Sequence, residues 1–187
     1  MAVIKINPHK IQLEEIPNVD NTETLTNYTS IEQIRLQAST LNIENVPFDI
    51  KSFIQKHSDA KLQFEDMEDL SGCVYKYKDT FKICINKFQN EQRQRFTMAH
   101  ELAHIIFDYK DNIDFNIQEK ILFRDKSIDS RERKANEFAA ELLMPQELFV
   151  EAMRSGYNTI EKLADKFDVS PAAARYRAYK LGYLKEY

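Results

Sequence analysis

No run of apolar residues in this chain approaches the ~20 that a membrane-spanning helix needs, so hydropathy excludes a transmembrane segment and no membrane partner is expected. Tryptophan is absent, and cysteine is limited to Cys73 and Cys84, too few for a disulfide framework. Both flank CVYKYKDTFKIC. If Lys78 and Asp79 form a two-residue turn, the two thiols fall opposite each other across a hairpin. In a reducing cytosol they are then free and buried, and without a CxxC-type spacing neither is a metal ligand. The N-terminal MAVIKINPHKIQ lacks the apolar core and the small-residue cleavage site of a secretory signal, so a cytoplasmic location is expected. Excess positive charge is missing too: the net charge of −4 excludes a protein built mainly to coat nucleic acid, while leaving room for a local basic patch. What remains, 187 residues at 43% hydrophobic and 30% charged, suits a globular protein with one core and a small appendage.

Histidine is scarce as well, which makes its placement informative. Two of the four histidines fall within five residues, in TMAHELAHIIF. Residues four apart on a helix share a face, so His100 and His104 present two imidazoles side by side, about 5–6 Å apart at Cβ. That suits two ligands of one metal ion. Glu101 sits one step round the helix, in reach of a water at that ion, which is the HExxH arrangement of zinc hydrolases with the glutamate as general base. A solvated Glu-His face would look similar in sequence. The neighbours argue against it: Met98, Ala99, Leu102, Ala103, Ile105, Ile106 and Phe107 bury the helix on most sides. Polar groups inside such a helix need partners, at about 1–3 kcal/mol for each one left unpaired.

Upstream, Ile4, Ile6 and Ile11 suit a docking strand, and VDNTETLTNYTS reads as a polar linker. Ser30 caps a helix whose apolar side carries Ile31, Ile34, Leu36 and Leu41, and Pro47 ends that pattern. FDIKSFIQKH is a second helix with Phe48, Ile50, Phe53 and Ile54 inward. KLQFE and the two halves of GCVYKYKDTFKICIN are three strands, with Phe81, Ile83 and Ile85 on one face. The strand at Phe81–Asn86, just before the HELAH helix, is the expected edge for pairing with an extended substrate. Between Asp108 and Ser130 the pattern is poor, and FNIQEKILF fits either a strand or a short helix.

A site of this kind needs a third protein ligand and an open fourth position. His9 and His57 lie in plain contexts upstream, so a carboxylate is required. The next helix, SRERKANEFAAELLMP, offers three glutamates. Its Ala135, Phe138, Ala139 and Leu142 form the i, i+3, i+4, i+7 stripe that faces the core. Glu132 and Asn136 border that stripe, whereas Glu137 and Glu141 project from the opposite side into solvent. Glu132 is therefore the candidate third ligand. Asn136, one turn on, is placed to hydrogen-bond a ligand histidine.

RQRFTMAHELAHIIF followed by ERKANEFAAELLMP resembles the ImmA/IrrE family of zinc endopeptidases, over roughly Ile50 to Pro145. The resemblance implies a Zn2+ ion bound by His100, His104 and Glu132, with Glu101 as catalytic base. It also implies a protein substrate, a helix-turn-helix transcriptional repressor whose cleavage relieves repression. Ala103 stands where many relatives have glycine, a small-for-small exchange. After Pro145, LADKFDVSPAAARYRAYK resembles a helix-turn-helix, with Ser170 as cap and Pro171 at the first helical position. Arg175, Arg177 and Lys180 make its last helix basic, so DNA is a possible partner. A compact appendage packed on the peptidase is the preferred reading. The expected fold is α+β and zincin-like, with a small three-stranded sheet. Residues 1–30 would be an N-terminal extension and linker, 31–153 the peptidase, and 154–187 the helix-turn-helix-like segment. The rival to an enzyme is a non-enzymatic regulator that binds DNA or a repressor and carries a structural or sensory metal.

Overall fold

The computed structural model describes residues 24–43, 45–68, 70–109 and 126–186, the side chains of 126–129 aside. Among them are seven α-helices and one sheet of three strands. In chain order these are α1 (Ile31–Thr40), α2 (Ile50–Gln55), β1 (Ala60–Glu65), β2 (Gly72–Tyr77), β3 (Thr80–Asn86), α3 (Glu91–Phe107), α4 (Lys126–Leu143), α5 (Gln146–Arg154), α6 (Ile160–Phe167) and α7 (Pro171–Lys180). The class is α+β. No described helix is long and apolar enough to cross a membrane. His9 and the FNIQEKILF stretch lie outside the described residues.

Helix starts are set by side-chain caps that satisfy otherwise orphaned N–H groups. Ser30 accepts from the Gln33 amide, Asp49 from Ser52, Asn90 from Arg93, Thr159 from Lys162, and Ser170 from Ala173. On α1 the buried side carries Ile34 and Ala38 with Ile31 packed beside them, while Leu36 is 70% exposed. The apolar pattern of the sequence places Leu36 inward, and the structure does not. Five residues from Ile31 it is well over a third of a turn off the buried stripe, so helical phase turns it out.

Lys78 takes the left-handed backbone of the β2–β3 turn, at φ 55°, and places Cys73 opposite Cys84. Both cysteines are buried free thiols. The hydrogen bond with Cys73, together with burial, holds the Cys84 thiol well above its ordinary pKa and therefore protonated. The sheet order is β1-β3-β2, with β1 parallel and β2 antiparallel to β3. This corrects one expectation. The strand before the HELAH helix is the central one, paired on both sides, and the edges belong to β1 and β2. A parallel β1–β3 pairing depends on a non-local crossover, which no local pattern reveals.

A second correction concerns the stretch read as linker. Leu25 is fully buried, and its N–H donates to both carboxylate oxygens of Asp59 at 3.0 and 2.9 Å. Tyr28 is also buried, its hydroxyl 2.8 Å from Nε2 of His57. His57 is thus a core histidine, its other nitrogen 2.8 Å from the Phe53 carbonyl.

Helix α3 is the centre of the molecule. It packs against β2 and β3 on one side and α4 on the other, and Thr97 to Ile106 are buried apart from His100. It lies tight against the sheet at Gly72, where a Cβ would stand 2.5 Å from Thr97 Cγ2 and 2.9 Å from the Cys84 carbonyl oxygen. Thr97 cannot easily turn away, because its hydroxyl donates to the Arg93 carbonyl at 2.9 Å. We expect Gly72→Ala to cost about 1–3 kcal/mol by overpacking, measured by urea unfolding. An unchanged midpoint would show that the helix and sheet can part freely.

The C-terminal helices are fastened to this core. α7 packs against α6 and α4. From α3, Arg95 donates to the Asp168 carbonyl at 3.0 Å and pairs with its carboxylate at 3.1 Å, in the turn between α6 and α7. Burial lowers the Arg95 pKa, and Asp168 opposes that shift.

Candidate metal centre

α3 and α4 lie against each other with Phe107 and Phe138 meeting edge-on at 5.4 Å, and one turn or two away from that contact their polar residues converge. His100 Nε2 lies 3.1 Å from His104 Nε2 and 3.1 Å from Glu132 Oε2, and His104 Nε2 lies 3.4 Å from Glu132 Oε1. Among the described residues, these three form the group of histidine, cysteine and acidic side chains able to hold a metal ion. Their exposure is graded: the His104 side chain is 4% exposed, His100 14% and Glu132 36%, so the cluster is closed at His104 and open to solvent at Glu132.

The outer nitrogens of both imidazoles are occupied. His100 Nδ1 is 3.1 Å from Asn136 Oδ1, and His104 Nδ1 is 2.6 Å from Asp108 Oδ2. A carboxylate and an amide oxygen accept hydrogen bonds, so in a neutral imidazole the proton belongs on Nδ1 in each case. Both Nε2 atoms then direct lone pairs at each other and at the Glu132 carboxylate. Four electron-rich atoms at 3.1–3.4 Å require positive charge between them. The donor set fits a tetrahedral zinc: ligands about 2.0–2.2 Å from such an ion stand roughly 3.3 Å from one another. Glu101 is buried at 3% exposure beside His100 and is not part of the cluster.

Glu137 and Glu141 also stand apart from the cluster, but not as free surface acids. Glu137 pairs with Lys180 at 2.6 Å, and Glu141 pairs with Arg177, which is buried. Their face of α4 is the one on which α7 packs, so the solvent assigned to them by helical phase is partly replaced by the C-terminal helix. The sequence pattern does not single out Asp108. The available signal was its spacing, four residues beyond His104 on the same helix face.

Comparison with known proteins gives the following likenesses. Residues 55–179 match the family model of the IrrE N-terminal-like domain, a peptidase family. An uncharacterized immunity region protein 2 of Bacillus phage phi105 is 40% identical over 72 residues, which cover 38% of this chain and 43% of that protein. A Mycobacterium tuberculosis transcriptional regulator shares the fold with a TM-score of 0.58 at 16% identity, over 79% of this chain and 45% of that one. The chain thus spans less than half the length of either. The family model covers well over half of the present sequence, and the chain belongs to the IrrE N-terminal-like, or ImmA/IrrE, peptidase family.

Proposed function

We propose that this protein is a zinc-dependent endopeptidase with a zincin-like catalytic unit, in which His100, His104 and Glu132 bind the ion and Glu101 is the general base. The observation that carries the reading is the convergence of the three donors at 3.1–3.4 Å, with each imidazole's other nitrogen already bonded. When bound, zinc supplies Lewis-acid activation of water and polarisation of a peptide carbonyl. The chain's own residues do the rest. Asn136 orients His100. The Glu101 carboxylate, buried beside the cluster, takes a proton from the attacking water and returns it to the departing amine nitrogen. We assign residues 31–153 to this unit, with Leu25 and Tyr28 of the preceding extension packed into its core, and 154–187 to a helical segment serving it.

The substrate we propose is a helix-turn-helix transcriptional repressor, cut so that repression is relieved. A relative named for a phage immunity region accords with such a role. Reading the C-terminal helices as a DNA-binding regulator is less well supported: Arg177 is buried and bonded within the protein and Lys180 is paired with Glu137, which leaves Arg175 as the free-standing base of α7. We expect one zinc per chain by elemental analysis and cleavage of a repressor that stops with a chelator and resumes on adding zinc. A metal-free chain that cleaves at full rate, or zinc held without His104, would sink the proposal.

A further inference from the structure

Asp108 lies at the C-terminal end of α3, with its carboxylate turned back onto the helix. Its Oδ2 is 2.6 Å from His104 Nδ1, and its side chain is only 10% exposed. As a helix-end residue it is badly chosen. The last turn is the negative end of the helix dipole, where an acid is disfavoured. The unsatisfied groups there are carbonyls, which need donors rather than another acceptor. Burial adds a desolvation cost. What the backbone end requires is met by the Asp108 amide, which donates to the His104 carbonyl at 2.9 Å. The carboxylate itself serves the His104 ring.

His100 supplies an internal comparison. Its Nδ1 faces the neutral amide of Asn136 at 3.1 Å, which orients a ring without adding charge. The more deeply buried histidine has the charged partner, with the shorter contact. A buried carboxylate hydrogen-bonded to an imidazole N–H fixes the tautomer and raises the basicity of the opposite nitrogen.

We infer that Asp108 is a positioning residue for the metal centre: it accepts the Nδ1–H of His104, directs the Nε2 lone pair at the point shared with His100 and Glu132, and strengthens that nitrogen as a donor to a divalent cation. This rests on the zinc site proposed above, so the experiment separates the two. Zinc affinity of the full chain is measured by competition with a chromogenic chelator, alongside thermal unfolding with and without zinc. Asp108→Asn keeps the shape and removes the charge. Its zinc affinity falls about 10–100-fold, its metal-free melting temperature stays close to that of the parent, and the rise in melting temperature on adding zinc shrinks.

Equal zinc affinity in the parent and Asp108→Asn would overturn the inference while leaving the site reading intact. A drop in metal-free stability with unchanged affinity would do the same, marking Asp108 as a helix-end residue only. A parent chain that binds no zinc would remove the site reading and this inference together. Should the variant fail to fold, nitrogen NMR of the zinc-loaded parent decides the matter: His104 protonated at Nδ1 and ligating through Nε2 supports the inference, and ligation through Nδ1 overturns it.

Discussion

We expect that replacing Glu101 by glutamine abolishes most of the proposed proteolysis and leaves zinc binding in place. A general base contributes on the order of 10²–10⁴-fold to a rate, and glutamine keeps the size and the hydrogen-bonding reach of glutamate while losing the ability to take a proton. Glu101 lies outside the donor cluster, so the variant has no reason to bind metal less well. His104→Ala should differ in kind: it removes one of the three proposed donors, at the closed end of the cluster, and is expected to lose zinc and activity together. The pair of variants is measured by single-turnover cleavage and by zinc content on the same preparations. Equal zinc loss in both would make Glu101 a structural neighbour of the ligands. Full zinc with full activity in Glu101→Gln would place the base elsewhere. An intact but inactive variant should also retain its substrate, so the protein that it captures tests whether the substrate is a repressor.

The parts of this site that could be read from sequence are those set by local geometry. Four-residue spacing puts His100 beside His104, and helical phase alone separates Glu132 and Asn136 from Glu137 and Glu141. Both kinds of evidence depend only on the 3.6-residue repeat of a helix whose apolar stripe is visible. Helix caps and the Lys78-Asp79 turn belong to the same class, because each is decided within four residues. What could not be read depends on distant partners. The position of β3 at the middle of the sheet is decided by β1, about twenty residues earlier and across a connection of no fixed pattern. Leu25 and Tyr28 look like linker because their neighbours are polar, yet Asp59 and His57 give their backbone and hydroxyl groups partners inside the core. Arg177 looks like a surface base for the same reason.

That arginine carries the other large expected effect, on stability. Its Nε donates to the Met144 carbonyl at 2.9 Å, at the junction where α4 gives way to α5, and its guanidinium pairs with Glu141 of α4. The side chain is 8% exposed, Glu141 35%. Arg177→Ala leaves a buried carbonyl without its donor, a loss of about 1–3 kcal/mol. To this is added the ion pair, discounted because Glu141 is partly solvated, and the packing of the arginine stem. We expect a total of about 2–4 kcal/mol in chemical unfolding. Arg175→Ala, two residues away on the exposed side of the same helix, should change stability by no more than about 0.5 kcal/mol. A helix that reads DNA predicts a different ordering, with both arginines dispensable for folding and both needed for tight, salt-sensitive binding. Melts of the two variants, with DNA titrations at physiological salt, decide between these roles. Equal stability of both variants, combined with loss of a nanomolar DNA complex in each, would turn the C-terminal helices from a brace for the peptidase into a reader of sequence.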